Sequence, residues 1–448
     1  MRPRKVELRT EIPGPCSREL RRMEDELLAP GSQNYALLAG IVVERAQGST
    51  ITDVDGNRLL DIIGGIAVGG IGHSHPEWAR SVSRQAVDMA VGSYTSRARI
   101  ELLERLSRHA PAPDICRTQI YSSGAEAIES ALRLAKSYTG KHEFVGFAGG
   151  FHGKTMGALS LMGSNFKDGY SPFVPGNHTV PYADCYRCPL KLSYPSCGLA
   201  CVDEARRQLK AGGAGAIAAF IVEPMQGTAG NIIPPPDWLP AIASLAKEFD
   251  ALLIVDEMIT GFGRTGTYWG TDHSGVTPDI VALGKQIGGG FPISAIMARE
   301  SIVNAKPWAN PSGSSSSYGG NSLAAAAAAA TLRIIDEENL VVNSDRMGGY
   351  FFRALKPFVD RYPFVGHVDG CGLMIGVQFV RDKGTREPLP QTATRRIFDE
   401  CLRRGLLTMA YAANFRIQPA MTIDEATIDE IVAILTEAFD AVAASGWR

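Results

Sequence analysis

Residues 251–257 read ALLIVDE, an apolar run closed by two carboxylates, and residues 216–223 read AIAAFIVE, a longer run closed by one. A strand built from such a run has no polar face to give to water, so it must be covered on both sides. Shorter runs at 118–121 and 144–147 repeat the theme. Between them lie stretches of helical period. In 238–249, Leu239, Ile242, Leu245, Ala246 and Phe249 fall on one stripe, and after residue 126 so do Ile128, Ala131, Leu132 and Ala135. Strands alternating with helices predict an α/β chain with a largely parallel sheet covered on both faces. Ligands of such sheets sit at the carboxyl ends of the strands.

The chain is 448 residues long. That length suits a large unit over 63–335, a smaller α+β unit over 336–448, and an N-terminal segment, 1–62, serving as an arm and as part of the smaller unit. Residues 41–60 alternate around Asp53-Val54-Asp55-Gly56-Asn57, where Asp-Gly marks a tight hairpin, and the C-terminal unit is expected to share its sheet. The segment GGIAVGGIG at 64–72 reads as too glycine-rich for a regular element and suited to passing close to a ligand. Thr422-x-x-Glu425 is expected to open the last helix.

Lys+Arg number 45 against 47 Asp+Glu, a net charge of −2. That balance argues against nucleic acid or an anionic membrane as the main partner. No apolar stretch approaches the about 18 residues of a membrane span, the alanine-rich 323–332 included, and no signal-peptide core leads the chain. Eight cysteines are too few for a disulfide scaffold of this size, so a soluble cytoplasmic protein is expected.

Several residues at expected strand ends bear chemistry. Lys285 follows the apolar run at 278–283 and precedes Gly288, Gly289 and Gly290, which let backbone approach a planar ligand. An amine there can be desolvated toward nucleophilic range, or can be an ordinary surface lysine. Asp256 closes ALLIVDE, with Glu257 pointing to the other face. Ser122-Ser123-Gly124-Ala125 joins a strand to a helix N-terminus, a phosphate cradle or a plain cap, with Ser123 and Glu126 spaced as a capping box. GGFHGKT at 149–155 nearly spells a nucleotide-binding loop, but its glycine is one residue out of register. With ALLIVDE it makes an NTPase the rival from another class. Cys185, Cys188, Cys197 and Cys201, spaced C-x2-C-x8-C-x3-C, read first as reduced thiols of a loop insertion, with spacing that permits a structural metal. No catalytic metal is expected. Arg416, in NFRIQPAM, has the chemistry to grip a carboxylate with two hydrogen bonds.

In order along the chain, SSGAEAIESALRLAK, FAGGFHGKTMGALSL, IVEPMQG, LLIVDEMITGFGRTG, ALGKQIGGGFP and SSYGGNSLA resemble the class III aminotransferases, pyridoxal 5'-phosphate enzymes of fold type I. The resemblance runs over nearly the whole chain, from Asn34 to Phe439. It implies a large domain with a mostly parallel seven-stranded sheet and a smaller domain built from both termini. It also implies ping-pong transfer of an amino group from a terminal amine to a 2-oxo acid such as 2-oxoglutarate or pyruvate. The same fold serves racemases, epimerases and a decarboxylase.

By the resemblance, Lys285 takes the cofactor's aldehyde and then shuttles the substrate proton. Asp256 pairs with the pyridine nitrogen, and Ser123, Gly124 and Ala125 hold the phosphate. Phe151 and Met258 sandwich the ring, with His152 beside Phe151. Ser317 stands where the family's threonine reaches the phosphate of the neighbouring subunit, implying a homodimer with shared active sites. Glu223 and Arg416 resemble the family's paired gate for substrate carboxylates. Departures are Ile259 where many members have Gln, Ser322 for Pro, RIQPAM for RLLPPL, and Asp369 where a basic residue is common. The last three lie by loops on the substrate side.

Overall fold

The computed structural model describes residues 5–446. It comprises two compact units, Glu77–Val341 and the pair of segments Met1–Pro76 and Val342–Arg448.

Seven strands form the sheet of the Glu77–Val341 unit: β1 (Arg117–Tyr121), β2 (Glu143–Phe147), β3 (Asn177–Val180), β4 (Ile217–Val222), β5 (Leu252–Asp256), β6 (Ile280–Leu283) and β7 (Ser294–Ala298). Their order across the sheet is β1-β7-β6-β5-β4-β2-β3. β7 runs antiparallel to both neighbours, and the other adjacent pairs are parallel. The mostly parallel sheet of seven expected from the family resemblance is therefore present.

Period-two alternation explains the layering. In β5, Leu252 and Ile254 join an apolar cluster with Ile128, Ala131 and Ala135 of α1 (Gly124–Thr139). Leu253 and Val255, facing the other way, join Val202 and Leu209 of α2 (Ala200–Gly212) and Trp238, Ile242 and Leu245 of α3 (Trp238–Glu248). Both faces are covered, so β4 and β5 bury every residue. The alanine-rich segment forms α4 (Ser322–Glu337), capped by Asn321 Oδ1 on the Ala324 N–H at 2.8 Å.

In the other unit, strands Val43–Gln47, Thr50–Asp53 and Arg58–Asp61 form a meander, and Leu406–Leu407 pairs in parallel with the last of them. N- and C-terminal segments thus share a sheet. A second sheet joins Val365–Cys371, Met374–Phe379 and Asn414–Ile417.

Two local expectations need correction. Residues 64–72 do lack a regular helix, since Gly64–Ala67 is a single turn whose four residues all have positive φ, but two of the glycines make room for the chain itself. A Cβ on Gly64 would lie 2.9 Å from Gln418 O, and one on Gly72 3.0 Å from Gly48 Cα. These glycines admit the chain's own backbone. The last helix, Glu425–Ala444, is capped by Asp424, which accepts from the Thr427 N–H at 2.8 Å, and not by Thr422. Asp424 sits directly before the helix, whereas Thr422 is two residues too early to reach its first amides.

Candidate active site

The carboxyl ends of β1, β2, β4, β5 and β6 lie along one edge of the sheet, and each hands over to a segment singled out in the sequence. β1 ends at Tyr121 and turns through Ser122 into α1. Ser123 is its N-cap, and its Oγ accepts from the Glu126 N–H at 3.3 Å. Glu126 answers one residue earlier than a capping box requires, accepting from the Ser122 N–H at 2.9 Å. Gly124 and Ala125 are the first two residues of α1, whose amides have no acceptor within the helix. Ser123 is exposed, and the turn is tied to β7 by Ser294 Oγ, which donates to Ser123 O at 2.6 Å.

The segment after β2 lies against this turn: a Cβ on Gly153 would come within 2.6 Å of Ala125 Cβ. Phe151 and His152 precede it. His152 Nδ1–H donates to Asp256 Oδ2 at 2.7 Å, and the Met258 N–H donates to Asp256 Oδ1 at 3.0 Å. Both oxygens of the buried carboxylate are thereby oriented. Met258 lies against the glycines on either side of it: a Cβ on Gly124 would stand 3.2 Å from its Sδ, and one on Gly284 only 2.3 Å away. Gly284 immediately precedes Lys285, which is half-buried, with φ 49° at the end of β6. Ala282, three residues before Lys285, is in register with Asp256 on the neighbouring strand.

Glu223 and Gln226, just beyond β4, hold the segment that carries Phe151. Glu223 Oε1 accepts from the Phe151 N–H and Oε2 from the Gly227 N–H, both at 2.9 Å. Gln226 Nε2 donates to Ala148 O at 2.8 Å. Tyr182 Oη braces the same turn, donating to Glu223 O at 3.2 Å and Pro224 O at 3.1 Å. Burial raises the Glu223 pKa, and the Asp256 charge adds to this, while His152 and the two amides oppose it. Sequence reasoning treated Glu223 only as a gate and passed over Gln226. The repeated glycines at 149 and 150 were the available signal, since a Cβ on Gly149 would stand 2.7 Å from Gln226 Oε1.

Other residues settle into different roles. Glu257 faces away from Asp256, as alternation requires. It accepts from the amides of Gly270 and Thr271 at 2.9 Å each, and burial raises its pKa. Gly288 and Gly289 serve packing within the protein: Trp78 Nε1 donates to Gly288 O at 3.0 Å, and a Cβ on Gly289 would meet Thr331 Oγ1 at 2.7 Å. The glycine that admits a close neighbour at the site is Gly284. Ser317 lies on an exposed loop. Arg416 is half-buried on Asn414–Ile417, paired with Gly376. The four clustered cysteines line one small cavity, and burial, followed by the charges of Cys201, Cys188 and Cys197, pushes the Cys185 thiol up to about 11.

The near-match to a nucleotide loop has other uses. Glu129 accepts from Thr155 Oγ1 at 2.6 Å and from the Gly157 N–H at 2.9 Å, and Lys154 Nζ lies over the Phe166 ring. Asp256 is engaged with His152. No triphosphate cradle forms, and the NTPase reading is not favoured.

The residues fit pyridoxal phosphate. Ser122 Oγ is buried with no hydrogen-bond partner in the structure, beside the exposed Ser123 cap and the first amides of α1. A carboxylate and an amine stand on adjacent strand ends next to this turn. Comparison with known proteins agrees. Residues 31–439 match the family described as "Aminotransferase class-III". The chain is 33% identical to 4-aminobutyrate aminotransferase of Mycobacterium leprae, covering 96% of this chain and 97% of that one. It is 31% identical to leucine/methionine racemase of Thermococcus litoralis, over 88% and 89%. An amine transaminase from an uncultivated Pseudomonas species, solved in its PLP-bound form, superposes with a TM-score of 0.87 at 31% identity, covering 93% of this chain and 99% of that one. The chain belongs to the class III aminotransferases, enzymes of fold type I whose cofactor is pyridoxal 5'-phosphate.

Proposed function

We propose that the enzyme moves an amino group from a terminal amine to a 2-oxo acid, with Lys285 and Asp256 as its catalytic residues. The observation that carries the assignment is the His152–Asp256 contact of 2.7 Å beside the open N-terminus of α1 and the Lys285 strand end. Bound cofactor supplies an electron-accepting ring that stabilises negative charge developing at the substrate Cα.

The chain's residues divide the remaining work. Ser123 Oγ and the amides of Gly124 and Ala125 would hold the cofactor's phosphate, favoured by the helix dipole. Asp256, fixed by His152 and the Met258 amide, would pair with the cofactor's ring nitrogen and favour its protonated form. Met258 and Phe151 would cover the ring, with Glu223 and Gln226 keeping the Phe151 segment in place. Lys285 Nζ removes the Cα proton and hands it on as general acid–base. Arg416 binds the substrate carboxylate, and Glu223 offsets it for uncharged amines. Ile259 leaves an apolar wall where many members carry an amide. The 4-aminobutyrate relative supports the terminal amine.

The working assembly is a homodimer in which Ser317 completes the partner's phosphate site. Support comes from an exposed apolar patch: Val87, Val91, Tyr94 and Tyr318 are 87%, 58%, 70% and 74% exposed. Arg99 links its two loops, with Nε donating to Gly320 O at 3.0 Å and the guanidinium also reaching Tyr94 O. Among the described residues no helix is long and apolar enough to cross a membrane. A cytoplasmic setting belongs to the proposal, with cell fractionation as its check.

A panel of terminal amines offered with 2-oxoglutarate or pyruvate tests the reaction. The expected result is stoichiometric amino acid from the oxo acid. Inversion of a chiral amino acid with no oxo acid present would instead mark a racemase, the activity named for the Thermococcus relative.

A further inference from the structure

We propose that Cys185, Cys188, Cys197 and Cys201 form a structural zinc site that clips the loop following β3 to the start of α2. The catalytic machinery uses none of these thiols, yet all four line a single cavity of ≈ 20 Å³, with Pro189, Leu190 and Leu199 among its apolar walls. A space of about 10–15 Å³ already admits one water-sized occupant, so this one takes a single ion. The lining offers soft sulfur donors, and four cysteines match the tetrahedral demand of zinc. The pairs arrive from two directions. Cys185 and Cys188 flank a turn, stabilised by the Arg187 N–H donating to Asp184 Oδ1 at 3.0 Å. Cys197 lies on the turn before α2, with the Ala200 N–H donating to its carbonyl at 3.1 Å. Cys201 is the second residue of α2, which fixes its backbone at the start of the helix.

All four cysteines are free thiols. Among the described residues no group of three or more His, Cys, Asp or Glu stands preassembled around a metal position. The ion therefore has to draw the donors inward. Three of them are on turns or irregular backbone, which allows small movements. Binding forms four Zn–S bonds and releases the thiol protons to solvent, with no change of oxidation state. The clipped segment begins just after Tyr182, whose hydroxyl braces the Glu223 turn, so the site stiffens a support of the active site from outside it.

The test is metal analysis of the full-length holoenzyme, produced in zinc-supplemented medium and exhaustively desalted. About one zinc per chain is expected. The Cys197→Ser/Cys201→Ser variant should lose it, with Tm lowered by about 5 °C, while the exposed control Cys116→Ser keeps it. Should the double variant fail to fold, p-hydroxymercuribenzoate added to the native protein with a colorimetric chelator reports release as the thiols are capped. Wild-type protein without zinc would overturn the proposal. So would a non-reducing intact mass showing disulfides among these cysteines.

Discussion

His152 Nδ1 stands 2.7 Å from Asp256 Oδ2, and both side chains are almost wholly buried. The pair joins segments 104 residues apart in sequence. It leaves Asp256 with one oxygen fixed by an imidazole and the other by the Met258 amide. In the proposed mechanism, Asp256→Asn removes the charge that would keep the ring nitrogen protonated. The expected loss in kcat is about 10²–10³-fold, the scale of deleting one preorganised charge-stabilising group. His152→Gln leaves the carboxylate but loses one charge-assisted hydrogen bond, so a smaller loss of about tenfold is expected. Steady-state kinetics on both variants check the order.

Glu223 is expected to behave as a fixed support of Phe151 as well as a substrate-side carboxylate. Glu223→Gln places an amide NH2 against one of two backbone donors, leaving a buried N–H unsatisfied, at a cost of about 1–3 kcal/mol. Denaturant unfolding measures it, and fluorescence of the bound cofactor reports whether Phe151 has moved.

The same carboxylate has a pH signature. Burial raises its folded pKa above the ordinary 4.5, so the folded state holds the proton more tightly than the unfolded state. Its contribution to stability is fully present below 4.5 and is lost as pH rises through the folded value. The wild-type advantage over Glu223→Gln should therefore shrink as pH is raised from about 4.5 toward neutrality. An advantage that grows over this range would refute the direction.

Gly284 is the tight glycine at the Lys285 strand end. A Cβ there would lie 2.3 Å from Met258 Sδ, so Gly284→Ala should cost about 1–3 kcal/mol and weaken cofactor retention. Gly212, at the end of α2, has nothing within 4 Å of its added Cβ. Gly212→Ala should be neutral or stabilise by up to about 1 kcal/mol. Thermal melts with and without added cofactor separate the two.

The exposed patch around Tyr94 and Tyr318 gives the assembly a direct test. Tyr94→Asp/Tyr318→Asp should shift the protein from dimer to monomer in light scattering and reduce activity with it, because Ser317 would no longer reach a partner's site. A dimer unaffected by both charges would place the interface elsewhere.

Much of the sheet was legible because β4 and β5 are short apolar runs that admit no exposed face. The strand-end positions of Asp256 and Lys285 were legible because Asp256 ends one such run and Lys285 follows another. What stayed hidden depends on long-range packing. That Gly289 serves Trp78 and Thr331, while Gly284 makes room for Met258, cannot be read from a glycine-rich string. Gln226 gave no local pattern, since its role is to hold Ala148, far away in sequence. The late cap at Asp424 was missed because Thr422 and Glu425 satisfy the same spacing rule two residues earlier.

Borohydride reduction of the holoenzyme followed by peptide mapping tests the catalytic assignment most directly. Reduction should fix the cofactor to the peptide containing Lys285 and bleach the protein's visible band, and Lys285→Ala should bind cofactor without being labelled. A label on Lys154 or any other lysine, or full turnover by Lys285→Ala, would contradict it.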